Sequence, residues 1–500
     1  MEPTSSKLRA LIPFVAVVLG VVIYMGSRKD NESGDNTTDL VPNLSGHSQM
    51  LALLKSIADN SDNRYFGDGA IVRMRSQLAV TRPGTPQEAI LRFGLGNAEL
   101  KFGRTEKAIE ELKKSVVLMG KMEGRVSPEE LAKGKFMVTY QLAIAYLRLG
   151  ENENCVNCQT SESCIFPLQG GGIHEKKEGS QEAILLLNEL LKINPEDALA
   201  RWLLNLAHMT LGTYPKNVPD KHLIDPKIFD SDEDFPRFKD VAKQVGLDTR
   251  SLCGGAIADD FNNDGLLDIF VSSWDVKGQL HFFLNTGEGK FADKTQAAGL
   301  TGLYGGLNLN QADYNNDGHT DIFVMRGAWL GEDGRHPNSL IRNNGDGTFT
   351  DVTLEAGLAK ENYPTQTSSW ADYDNDGLLD LYVGNESGTQ IFAPSQLFHN
   401  NGDGTFSDVA TKAGVSNDRY AKAVIWGDYD NDNDPDLYIS NRKAPNRLYR
   451  NNGDGTFTDV APVLGVDRPS WSFPAWFWDF NNDGALDIFV ASYKTDEGAT

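Results

Sequence analysis

Asp260-Phe-Asn262-Asn-Asp264-Gly265-Leu-Leu-Asp268-Ile-Phe-Val271 decides the fold, because its oxygen-bearing residues keep their places in four further copies. Oxygen side chains stand at the first, third, fifth and ninth positions of every copy. After Asp260, Asn262, Asp264 and Asp268 they are Asp313, Asn315, Asp317, Asp321; Asp372, Asp374, Asp376, Asp380; Asp428, Asp430, Asp432, Asp436; and Asp479, Asn481, Asp483, Asp487. A hard cation of calcium size takes about six to eight oxygens, and alternate residues of a tight loop supply them where the chain turns sharply in the middle. Gly265, Gly318, Gly377 and Gly484 stand at that turn. Asn433 replaces glycine in the fourth copy, and Asn tolerates a left-handed backbone best among the other residues. An alternating apolar run of strand type follows the ninth position, with no twelfth-position Glu and no helix. The sequence therefore predicts a Ca2+ loop between two β-strands and not an EF-hand. The competing reading is an Asp/Asn/Gly turn that binds nothing. A bare turn has no need of the ninth-position Asp, which all five copies keep.

A second motif alternates with the first. Asn343-Asn-Gly345-Asp346-Gly347-Thr-Phe349-Thr-Asp351-Val352 recurs at Asn400 to Val409 and Asn451 to Val460, with a degenerate form from Asn285 to Phe291. Asp-Gly between apolar runs is a hairpin signal, and these segments are expected to be turns and nothing more.

The first-position residues lie 53, 59, 56 and 51 apart. A period just above fifty with about four short strands per unit predicts a radial array of four-stranded blades, a β-propeller. The loops and the N-N-G-D-G-T-F hairpins resemble the FG-GAP/VCBS repeats of integrin-type propellers. The segments Phe349 to Leu358 and Phe406 to Val415 are similar to those of the ASPIC/UnbV, cartilage-acidic-protein-like group. The resemblance covers residues 235–500 and implies blade loops that hold Ca2+. A hairpin tail without its front (Phe238 to Leu247) and a fifth loop without a hairpin predict a strand exchange that closes the ring. Five blades are few for the family, which predicts a chain continuing past Thr500.

Charge narrows the partners. The formal net charge is −23, against nucleic acid as a partner. Seventeen of the 70 acidic residues are loop positions, so part of the acidity belongs to the expected metal sites. An apolar run, Ala10 to Gly26, stands between Lys7 and Arg9 on one side and Arg28 and Lys29 on the other. Read as an uncleaved transmembrane helix, it makes residues 1–29 a membrane anchor with a cytoplasmic N-terminus and an extracytoplasmic remainder, periplasmic or at the cell surface. A cleaved signal peptide is the alternative. Residues 30–48 read as a linker.

Residues 49–215 show helical periodicity. Leu95-Gly96, Gly103, Ala108, Leu112 and Ser115, then Leu142-Ala143, Tyr146 and Gly150, then Ala183, Leu187 and Pro195, are similar to a tetratricopeptide (TPR) pattern, although Glu99 stands where Tyr is usual. The pattern is interrupted by an insertion at 151–179 that holds Cys155, Cys158, Cys164 and His174. In an exported chain these cysteines are expected to form a disulfide, with a Cys/His metal site as the alternative; Cys253 makes the count even and leaves the pairing open. Residues 216–234 read as a connector.

No Gly-x-Ser-x-Gly, His-Glu-x-x-His or phosphate loop is present. The expected function is that of an exported, membrane-anchored, calcium-binding propeller scaffold for a protein or glycan ligand, with the helical repeats as a partner contact. The alternative is an exported enzyme acting on a glycan or small molecule at the propeller face. Trp370, Trp426, Trp471, Trp476 and Trp478 are expected to pack between blades in preference to lining a sugar site.

Overall fold

The structure, a computed structural model, describes residues 45–493 except 61–64, 66–67, 156–162, 164, 231–239 and 250. Seven helices come first: α1 (Gly46–Asn60), α2 (Gly69–Val80), α3 (Pro86–Lys101), α4 (Thr105–Gly120), α5 (Pro128–Asn154), α6 (Glu178–Ile193) and α7 (Ala198–Thr210). Start signals are local. Thr85 and Ser127 each accept a backbone N–H three residues on and precede a proline in the first turn, and Ser127 with Glu130 forms a capping box. Neighbouring helices α3 and α4, α4 and α5, α5 and α6, and α6 and α7 pack on one another. Leu112, Leu142, Ala143, Tyr146, Ala183 and Leu187, all positions of the expected repeat pattern, are in their shared core. Gly96 is needed at the α3–α4 crossing, since a Cβ there would lie 2.7 Å from Leu112 Cγ. Glu99 is fully buried and ion-paired with Arg75 and Arg104.

One element of the expected fold class is corrected. Among the described residues no helix is long and apolar enough to cross a membrane. The longest, α5, carries Glu129, Glu130, Lys133, Lys135, Arg148, Glu151 and Glu153, charges that hydrocarbon would have to desolvate. The transmembrane helix expected at 10–26 lies outside the described residues. The architecture is a helical region followed by β-sheet repeats, without a membrane-spanning helix among them.

Four antiparallel four-stranded sheets follow in sequence. They are β1 (Ala256–Asp259), β2 (Asp268–Val271), β3 (His281–Asn285) and β4 (Phe291–Asp293); β5 (Asn308–Ala312), β6 (Asp321–Met325), β7 (Ser339–Asn343) and β8 (Phe349–Asp351); β9 (Thr365–Ala371), β10 (Asp380–Asn385), β11 (Gln396–Asn400) and β12 (Phe406–Asp408); and β13 (Tyr420–Gly427), β14 (Asp436–Arg442), β15 (Arg447–Asn451) and β16 (Phe457–Asp459). A two-stranded sheet of β17 (Ser472–Trp478) and β18 (Asp487–Ser492) comes last. The first strands of consecutive sheets, β1, β5, β9, β13 and β17, lie side by side in chain order, as the inner strands of propeller blades do. Among the described residues β17 and β18 pair only with each other, and Phe238, on which the expected strand exchange depends, lies outside them.

Aromatic rings fill the space between sheets. The second residue of a loop packs on the hairpin Phe of the following sheet, with centroids 6.4 Å apart for Phe261 and Phe349 and 5.8 Å for both Tyr314 with Phe406 and Tyr373 with Phe457. Trp370 and Trp426 pack against these same cores, whereas Trp476 and Trp478 on the last sheet are exposed.

The first helix belongs to this β-sheet core. Met50 and Leu54 of α1 are buried among Phe270, Phe282, Ile322 and Phe349 of the first two sheets and Leu300 between them. Gly46 N–H donates to Glu355 Oε1 at 2.8 Å, and Asp351 N–H donates to His47 Nδ1 at 3.0 Å. The helical domain expected from residue 49 thus opens with a helix whose apolar face is spent on the sheets.

Within the insertion, Cys155 Sγ lies 3.5 Å from Nε2 of the buried His174. Cys158 and Cys164, on which the expected disulfide depends, lie outside the described residues.

Candidate metal centre

Each of the five loops joins the first two strands of its sheet, at the pairs Asp259–Asp268, Ala312–Asp321, Ala371–Asp380, Gly427–Asp436 and Trp478–Asp487. The first-position Asp closes the loop: Asp260 accepts Asp264 N–H on Oδ1 at 3.0 Å and Gly265 N–H on Oδ2 at 2.7 Å. Asp313, Asp372, Asp428 and Asp479 do the same in their own loops. The fifth-position Asp caps the residue two ahead, as Asp376 Oδ1 does for Leu378 N–H at 2.9 Å. Where the third residue is Asn, its amide donates to the fifth-position carboxylate, at 2.9 Å from Asn262, Asn315 and Asn481 alike. Where it is Asp, no such donor exists.

Position nine is the buried one. Asp268, Asp380 and Asp436 are fully buried and Asp321 is nearly so, whereas Asp487 is exposed. One oxygen of each buried Asp accepts a hairpin N–H at 2.7 to 2.8 Å, from Asn285, Asn343, Asn400 and Asn451 in turn. The second oxygens of Asp268 and Asp321 have no hydrogen-bond partner. Burial pushes the carboxyls of Asp321, Asp380 and Asp436 up to about 7, because a desolvated anion without a cation is unfavourable. Carboxylates of Asp372, Asp374 and Asp380 offer oxygens within 4.8 Å of one another, and so do those of Asp428, Asp430 and Asp436. Orphaned buried oxygens and converging carboxylates fit a hard divalent cation, whose charge would offset both the desolvation and the repulsion. His399 Nδ1 lies 3.2 Å from Asp380 and 3.4 Å from Asp374, so a nitrogen also borders the third site.

Two kinds of residue escaped the sequence reading. The fourth loop position is left-handed in all five copies, at Asn263, Asn316, Asn375, Asn431 and Asn482, with φ between 56° and 60°. Its amide reaches the next loop: Asn263 to Gly318 O at 3.1 Å, Asn316 to Gly377 O at 3.0 Å, Asn375 to Asp434 Oδ1 at 2.9 Å and Asn431 to Gly484 O at 3.4 Å. The recurrence of Asn at that position was the available signal.

The hairpin motif is more than a turn, contrary to expectation. Its first Asn is buried, and its amide donates to the second-position carbonyl of the preceding loop, from Asn343 to Phe261 and Asn400 to Tyr314 at 2.8 Å and from Asn451 to Tyr373 at 2.7 Å. We expect Asn400→Ala to cost about 1–3 kcal/mol, because it strands buried carbonyls, and Asn401→Ala on the exposed side to cost under about 0.5 kcal/mol. Denaturant midpoints of the two variants check this.

Four segments, 260–324, 328–383, 372–439 and 434–490, match the family model described as FG-GAP-like repeat. The chain carries four FG-GAP-like repeats. It is also homologous to cartilage acidic protein 1, being 28% identical to that of Homo sapiens over 207 residues, which cover 40% of this chain and 30% of the human protein. The Mus musculus protein is 29% identical over 207 residues (39% of this chain, 31% of that protein) and the Xenopus tropicalis one 28% over 204 (39% and 30%). The match thus spans less than a third of the length of these curated relatives. The FG-GAP segments contain all five loops, so the acidic groups that could hold a metal lie within the family repeat itself.

Proposed function

We propose that this FG-GAP protein is an extracellular, calcium-stiffened scaffold that presents a binding face, with its helical pairs as a second contact for a partner. The observation that carries the reading is the convergence of carboxylates at positions one, three and nine of the third and fourth loops; in the first two loops, where position three is Asn, the buried ninth-position Asp keeps an oxygen without a hydrogen-bond partner. Ca2+ would be held by the first-, third-, fifth- and ninth-position oxygens. Bound there, it supplies charge neutralisation and rigidity. Extracellular modules bind calcium at roughly 0.1 to 1 mM, a concentration met outside the cell and not in the cytosol. The resemblance of the repeats to those of cartilage acidic protein 1 is consistent with an extracellular setting.

Bound metal counted on the purified chain tests this. Asp376→Ala is expected to remove one calcium, and Asp403→Ala, whose carboxylate only caps Thr405 in a hairpin, to remove none. The third and fourth loops, with Asp at position three, are expected to fill at lower calcium than the three with Asn. A count near zero at millimolar calcium would overturn the reading.

A further inference from the structure

The ends of the sheets remote from the loops carry a second concentration of polar chemistry. Glu386 follows β10 at the end opposite Asp380, Tyr420 and Lys422 lie at the start of β13, Arg442 closes β14, and Phe473 is the second residue of β17. Isolated bridges set them side by side across sheet boundaries, pairing Glu386 with Tyr420 and Arg442 with Trp471. Six residues of strand separate Asp380 from Glu386, roughly 20 Å.

Glu386 is 2% exposed and Lys422 6%, yet no ion pair joins them. Glu386 Oε2 accepts Trp329 N–H at 2.7 Å, and the Tyr420 hydroxyl and the charges of Lys422 and Arg442 favour its anion, while Oε1 makes no hydrogen bond within 3.5 Å. Lys422 Nζ donates to Gln366 Oε1 at 2.6 Å and lies 4.8 to 5.9 Å from the ring centroids of Phe473, Tyr420, Trp329 and Tyr493. Glu386 and Lys422 attract one another without touching, and burying both charges is costly unless a polar group bridges them. Trp329 has φ 68° and Lys443 φ 63°, left-handed conformations that bulky side chains rarely adopt and that gather at ligand sites. Arg442 lies over the rings of Tyr420 and Trp471, and Lys443 over Trp471. Lys422, Arg442 and Lys443 outnumber Glu386 here, in a chain whose net charge is −23.

We propose that this cluster is a binding site for an acidic saccharide. The proposal rests on the reading of the protein as a binding scaffold and names its ligand class. A sugar hydroxyl both donates and accepts, so one hydroxyl group can donate to Glu386 Oε1 while another accepts from Lys422. The apolar face of a pyranose ring stacks on aromatic rings, which Trp329, Tyr420 and Phe473 supply beside Lys422. A ring carboxylate meets Arg442 and Lys443, and a guanidinium takes such a group through two parallel hydrogen bonds.

Calorimetric titration of the whole chain with an oligogalacturonate, and with a cello-oligosaccharide of equal length, tests the site. The oligogalacturonate is expected to bind and the neutral sugar to bind at least about tenfold more weakly. Glu386→Gln and Lys422→Met are expected to weaken binding about tenfold or more. Arg442→Gln and Lys443→Gln, at less buried positions, are expected to weaken it by several-fold even if a change at the buried pair disturbs the fold. No heat from the oligogalacturonate, equal affinity for the two sugars, or wild-type affinity in all four variants would each overturn the proposal. Bound calcium is counted in the same samples. A chain that binds the saccharide while its calcium count stays near zero at millimolar calcium sinks the calcium reading and leaves this one standing, whereas a chain that holds calcium and ignores the saccharide does the reverse.

Discussion

Chelating divalent cations is expected to lower the melting temperature of the sheet region by roughly 5–10 °C for each site emptied from a hundredfold excess over its dissociation constant. Binding to the folded form alone contributes about 2.7 kcal/mol at that excess, and 1 kcal/mol moves the midpoint of a sheet region of this size by roughly 2–4 °C. The physical source is repulsion. Asp372, Asp374 and Asp380 present oxygens within 4.8 Å of one another, and two unit charges at such a distance repel by about 1 kcal/mol in water and about 4 kcal/mol at the effective dielectric of a protein surface. A bound cation reverses the sign of that contribution. Position nine is enclosed by its sheet, so relaxation away from its neighbours is restricted. A melting temperature unmoved by chelator and by added millimolar calcium would show that the loops are turns and no more.

Met50→Ala and Leu54→Ala are each expected to destabilise the β-sheet region by about 2–5 kcal/mol, although both residues lie outside the sheet sequence. Met50 and Leu54 are 0% and 2% exposed, and their neighbours Phe270, Ile322 and Phe349 are sheet residues. Truncating a fully buried Met or Leu removes its transfer free energy and leaves a cavity that rigid strands cannot fill. Val80→Ala, at an 87% exposed position at the end of α2, is expected to change little. Near-ultraviolet circular dichroism through a denaturant titration reports on the packed aromatic cores of the sheets. If that signal unfolds at the wild-type midpoint in both variants, α1 is not part of the sheet core.

The loops were legible because their chemistry is local. Alternate oxygens, a left-handed Gly or Asn and an apolar strand all lie within twelve residues, and the repeat made them conspicuous. The period and the hairpins led to four-stranded units for the same reason. Contacts made across the repeat were not legible. Asn343 meets its acceptor Phe261 82 residues away, so its motif reads as a turn when taken alone. The amphipathic pattern of α1 states which face is apolar and not what covers it, and the helices that follow suggested the wrong neighbour. Glu386, Lys422 and Phe473 come from three sheets, and only the alignment of strand ends brings them together. The expected anchor is corrected only as part of the fold class: residues 10–26 lie outside the described residues, and among those no helix is long and apolar enough to cross a membrane.

The straps between loops also bear on how such a chain changes its length over generations. Every link reaches one sheet and no further: a fourth-position Asn gives its amide to the following loop, and a hairpin Asn gives its own to the preceding one. A tandem duplication of one unit therefore arrives with both donors and both acceptors already in place, and each junction it creates repeats one that exists. Loss of a whole unit heals in the same way, whereas a break inside a unit leaves donors without acceptors on two sides. Gain and loss by whole units is the mutational route that this bonding scheme leaves open.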